Sequence, residues 1–182
     1  TRGTLMGRFS LKGRIALITG GSRGLGREMA LTFAGAGADV LISSRKLDAC
    51  EALAAEVRTR YGRKAMSYAC HIGQWDALQE LVEFAYREFG RIDVLVNNAG
   101  MSPPYGRLVD IGEDLYDKVM DVNLKGPFRL TSIVGTRMAE GAGGSIINIS
   151  AAAAVHPVPS ALPYSAAKAG LNALTAGFAQ AF

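Results

Sequence analysis

Two side chains in the last fifth of this 182-residue chain are spaced to move a proton. Tyr164-Ser165-Ala166-Ala167-Lys168 sets a phenol and an ammonium at i and i+4, which a helix brings to one face. A phenol, with a pKa of about 10, is a poor acid at neutral pH. An ammonium within a few ångströms stabilises its anion and makes it a better one. Such a pair can pass a proton to or from a substrate oxygen while hydride moves at the neighbouring carbon. The spacing alone also fits an ordinary amphipathic pair, so its meaning depends on the elements before it.

Those elements begin with a glycine turn. The β-rich run Ile15–Thr19 leads into Gly20-Gly21-Ser22-Arg23-Gly24-Leu25-Gly26, and apolar residues then recur at helical spacing over 24–34. Glycines let the backbone approach a diphosphate, and the helix N-terminus supplies free N–H groups and partial positive charge. Gly20, Ser22, Arg23, Gly24, Leu25 and Gly26 are the candidate diphosphate contacts. About 20 residues on, an NAD site would place an acid against the ribose hydroxyls. This chain has Ser43-Ser44-Arg45-Lys46 instead. Arg45, with Arg23 from the other side and Ser44 beside it, suits a 2′-phosphate, which a carboxylate would repel. The expected cofactor is NADP(H), with NAD(H) as the alternative.

Further strands are expected over 40–43, 65–70, 92–96 and 145–149. Helices are expected over 47–61, 76–89, 115–138 and from 164 onward. Strands alternating with helices predict an α/β fold, a doubly wound parallel sheet of Rossmann type with helices on both faces. Residues 1–12 read as a tail and 13–182 as one dinucleotide-binding domain. The longest loops, 102–106 and 151–163, fall at carboxyl ends of strands, where open α/β sheets bind ligands.

Composition narrows the classes. The net charge is +4. Arg2, Arg8, Lys12 and Arg14 supply all of that excess, so no nucleic-acid face is expected. Met6 reads as a natural start, with 1–5 a remnant of expression. No apolar run reaches the roughly 18 residues that span a bilayer. Cys50 and Cys70 read as reduced thiols of a cytoplasmic protein. No metal site is expected.

Taken together, the glycine turn, Asn97-Asn98-Ala99-Gly100 after the fourth strand, Asn123, and Tyr164 with Lys168 resemble the short-chain dehydrogenase/reductase family over residues 13 to 182. The resemblance implies that Asn98, Ala99 and Gly100 line the adenosine–ribose side, as does Ile72 after the third strand. It implies that Asn97 ties the sheet together. Asn123 would hold a water in a proton relay with Lys168 and Tyr164, and Lys168 would also bond the nicotinamide ribose. The last two helices would pair copies into a homodimer or homotetramer. The substrate would be a small carbonyl or secondary alcohol, of ketone or 3-oxoacyl type.

The chain departs from that pattern in three places. The family's substrate-orienting serine, thirteen residues before the tyrosine, falls on Ala151, with Ser150 one residue further back. Either an extra loop residue lets Ser150 serve, or the donor is missing, because alternate strand residues face opposite ways. His71-Ile72 stands where the family often has Asp. The chain also ends inside the last helix, which predicts that the last strands are missing, that the fifth strand is an open edge and that the chain is a piece of a longer one. Three readings follow: an NADP(H) reductase, a weak or inactive nucleotide-binding protein, and a nucleotide-sugar epimerase. The glycine spacing fits the last least well.

Overall fold

The computed structural model describes residues 9–182, so Arg2, Met6 and Arg8 of the expected tail lie outside the described residues. Five parallel strands form one sheet: β1 Ile15–Thr19, β2 Asp39–Ser44, β3 Ala65–Ala69, β4 Val94–Asn97 and β5 Ser145–Asn148. Their order is β3-β2-β1-β4-β5. The helices are α1 Gly24–Gly35, α2 Leu47–Tyr61, α3 Trp75–Phe89, α4 Glu113–Met120, α5 Gly126–Ala139 and α6 Leu162–Ala181.

Strand alternation builds two cores. Ala16, Ile18, Val40 and Ile42 pack on one face against Ala30 and Ala34 of α1 and Leu53 and Val57 of α2. Leu17, Leu41 and Leu95 pack on the other against Leu78, Leu81 and Val82 of α3 and Leu130 and Val134 of α5. All these side chains are buried. A sheet covered on both faces needs nearly continuous apolar strands, as β1 shows. The doubly wound expectation is met. The strand order reverses between β1 and β4, which opens the crevice where such sheets take ligands. β5 is an edge, and its Ile147 is 40% exposed.

Several element boundaries differ from expectation by a residue or two, and two of the elements bear on the site. The fourth strand starts at Val94 rather than residue 92, because Asp93 turns its carboxylate to Arg14, Arg91 and the Ile15 N–H. The helix expected over 115–138 runs without a break from Glu113 to Ala139, with a π-helical turn at Asp121–Lys125 between α4 and α5. Among the described residues no helix is long and apolar enough to cross a membrane. Cys50 and Cys70 are buried and unpaired.

Candidate active site

The crevice is held open and in register by Thr19, the last residue of β1. Its buried hydroxyl donates to the Val96 carbonyl and accepts the N–H groups of Asn98 and Ala99. Asn98 replies with its side-chain amide, which donates to the Thr19 and Gly20 carbonyls at 3.0 and 3.1 Å. The side chain of Asn98 is therefore a strut for the glycine turn. Asn97 points across the sheet and donates to Thr131 of α5 and Asn148 of β5.

The turn itself is shaped by close approach. Gly20 has φ +62°, and a Cβ there would lie 2.8 Å from the Ala99 Cα. A Cβ at Gly26 would lie 2.3 Å from the Gly20 carbonyl oxygen. Over Gly24, at φ +55°, nothing lies within 4 Å. Helix α1 then begins with no side-chain cap and no acid in its first turn. Free N–H groups and unopposed positive partial charge facing open space fit a diphosphate. Ser22 is half-buried, Arg23 and Leu25 form an exposed rim, and Arg23 makes no ion pair among the described residues.

At the end of β2, the Ser44 hydroxyl accepts the Lys46 N–H and lies 3.1 Å from the Cys50 sulfur. Arg45 is exposed beside it. The Ile72 side chain is turned into the core, so only its main chain could meet a ligand.

The proton-handling groups converge at the carboxyl ends of β4 and β5. Lys168 is 3% exposed, and its Nζ donates to the Ile149 carbonyl at 2.7 Å and stands 5.7 Å from the Tyr164 ring centre. A Cβ on Gly100 would lie 3.0 Å from Asn123 Oδ1 and 3.6 Å from Lys168 Nζ, so this glycine packs closely against both groups. Asn123 is fully buried in the π-helical turn. Its amide donates to the Met101 and Val119 carbonyls, and its Oδ1 accepts the Met101 N–H. The widened turn aims this side chain at the loop after β4. Burial pushes Lys168 down to about 8. Burial also raises the Tyr164 phenol above its ordinary value. The phenol's own burial is the cause of that rise, and Lys168 Nζ is engaged with the Ile149 carbonyl.

A family model described as short chain dehydrogenase matches residues 14–182. The chain belongs to the short-chain dehydrogenase family. It is 37% identical over 172 residues to dehydrogenase/reductase SDR family member 4 of Bos taurus, covering 94% of this chain and 61% of that one. It therefore spans about three fifths of the length of that relative. Among solved structures it is similar to a metagenomic short-chain oxidoreductase in complex with NADP, with TM-score 0.89, 35% identity, and coverage of 93% of this chain and 76% of that one. It is also similar to an NAD+-bound xylitol dehydrogenase, with TM-score 0.86, 29% identity, and coverage of 93% and 66%.

The fold brings Tyr164, Lys168, Asn123 and Gly100 together, and separately gathers Gly20, Gly26, Asn98 and Ala99, with Gly24 in the same turn. The Ser150 hydroxyl is sealed from solvent and has no hydrogen-bond partner among the described residues, Tyr164 included. Ala151 follows in extended backbone, φ −150° and ψ 157°, so its methyl turns the other way. Sequence reasoning gave no part to Thr19 beyond opening the turn, or to Tyr105, described below. A strand-end threonine before glycines is a usable signal for the first. Nothing local marks the second.

Proposed function

We propose that this chain forms the reaction centre of an NADP(H)-dependent reductase acting on a carbonyl, of ketone or 3-oxoacyl type. The observation that carries the reading is Lys168: a cation buried with no ion pair among the described residues, held by Ile149 and set over the ring of Tyr164. A buried, unpaired ammonium costs stability, so a packing role explains it poorly. When bound, the nicotinamide supplies the hydride. Gly20, Gly24 and Gly26 with the start of α1 hold the diphosphate, and Ser22 and Leu25 flank it. Arg23, Ser44 and Arg45 receive the 2′-phosphate. Ile72, Asn98, Ala99 and Gly100 border the adenosine and ribose through their main chain. Tyr164 donates its proton to the substrate oxygen. Lys168 steadies the charge left on the phenol, and Asn123 holds the loop of Met101 in place.

Self-association through α5 and α6 belongs to the same reading. Phe128, Phe178 and Phe182 form a continuous aromatic row across these helices, with Phe128 and Phe182 exposed. Sedimentation velocity reads it directly.

The test is oxidation of NADPH by the full chain with a panel of ketones and 3-oxoacyl thioesters. Turnover should fall as pH rises through about 8, where Lys168 loses its charge. Tyr164→Phe should remove turnover and leave NADPH binding intact. NADPH binding without turnover of any carbonyl would instead support the second reading, a nucleotide-binding protein of little activity, which Ala151 and the sealed Ser150 favour.

A further inference from the structure

The loop after β4 and the segment leading into α6 are joined by one side chain. The half-buried Tyr105 donates its hydroxyl proton to the Pro159 carbonyl and accepts the Leu162 N–H at 2.9 Å. The local sequence shows why α6 needs this. The helix begins at Leu162 behind Ala161, which has no side-chain group to cap with. Pro163 has no N–H, so the first-turn donors in want of a partner are those of Leu162, Tyr164 and Ser165. Tyr105 supplies the acceptor for the first of these from 57 residues away. Tyr164 comes two residues later. Tyr105 and Tyr164 also line one small cavity, with Ser102, Leu115, Val119 and Ala161.

We propose that Tyr105 is a positioning residue, whose hydroxyl fixes the first turn of α6, and through it Tyr164, against the loop after β4. The proposal rests on the reading of Tyr164 as the proton donor. Tyr105 spends its own proton on Pro159, so it acts on the geometry of Tyr164 and not on the substrate. Pro103 and Pro104 stiffen one tied loop, and Pro157 and Pro159 the other. Stiff loops lose little entropy on being joined. The two walls on the substrate side of the crevice are thereby a single unit.

Tyr105→Phe keeps the ring in its cavity and removes both bonds. In the full chain, kcat for carbonyl reduction should fall about tenfold or more, since misplacing a reacting group by an ångström can cost about a hundredfold. NADPH affinity should be unchanged, because the glycine turn is untouched. Hydrogen exchange at the Leu162 amide should quicken about fivefold, the effect of losing one ordinary hydrogen bond. An unchanged kcat overturns the proposal. So does a parallel loss of NADPH affinity, which general loosening of the fold would cause. If the parent chain reduces no carbonyl at all, the reductase reading fails on its own. Exchange at Leu162 then decides: faster exchange supports the tie, and unaltered exchange overturns it.

Discussion

Ala151 puts a methyl group thirteen residues before Tyr164, where the family resemblance calls for a hydrogen-bond donor, and the neighbouring hydroxyl of Ser150 is shut away. In the proposed reaction the substrate oxygen would then depend on Tyr164 alone. Losing such a donor typically costs on the order of 10²–10³ in rate. Ala151→Ser should therefore raise kcat in NADPH-driven reduction, by about tenfold or more, with NADPH affinity unchanged. An unaltered kcat in that variant would show that the site works without a donor there. The arrangement of Tyr164 and Lys168 was legible in the sequence because helical geometry alone sets an i, i+4 pair. Their electrostatics were not. The burial that brings Lys168 to about 8 comes from residues distant in sequence, including Gly100 and Ile149. The phenol is raised by its own burial, which spacing could not foretell.

At the level of elements, the strand–turn–helix unit at the start of the chain separates two uses of glycine that look alike in sequence. Gly20 is needed for packing: its φ is +62°, and an added Cβ meets the backbone of Ala99 at 2.8 Å. Gly24 is needed for its left-handed backbone, φ +55°, and an added Cβ there meets nothing within 4 Å, so a methyl would stand in the space proposed for the diphosphate. Gly20→Ala should lower stability by about 1–3 kcal/mol through backbone strain and weaken NADPH binding by distorting the turn. Gly24→Ala should cost only about 1–2 kcal/mol for its left-handed conformation, yet weaken NADPH binding at least as much, because the methyl fills the space meant for the diphosphate. Urea melts and fluorescence titration with NADPH measure both. Equal stability losses with unimpaired binding in the Gly24 variant would refute the assignment of that space. The turn was legible because strand, glycines and helix follow one another locally. The π-helical turn at Asp121–Lys125 was not. It accompanies the bonds of Asn123 to Met101, a contact between elements that no helical periodicity contains.

For the molecule as a whole, the crevice between β1 and β4 is pinned at both ends. Thr19 binds the carboxyl ends of the two strands. Asp93 binds the amino ends, accepting from the Ile15 N–H at 2.8 Å and from Arg14 and Arg91. The alternation of strands and helices made the parallel sheet legible. The pins were not, since each joins residues more than seventy positions apart. Burial by itself would raise the Asp93 carboxyl, but the Ile15 N–H and the two guanidinium groups outweigh it and hold the carboxyl below the ordinary aspartate range. A carboxyl depressed in the folded state stabilises the fold above its unfolded value of about 4, and that contribution is lost as pH falls through the lower folded value. Asp93→Asn should therefore cost about 1–3 kcal/mol at pH 7, the scale of hydrogen bonds to a charged group. The difference between parent and variant in urea midpoint should shrink steadily below about pH 4 as the parent carboxyl takes up its proton. A difference that stays constant down to pH 3 would mean that the charge of Asp93 does not hold β1 and β4 together, and that its shape alone does.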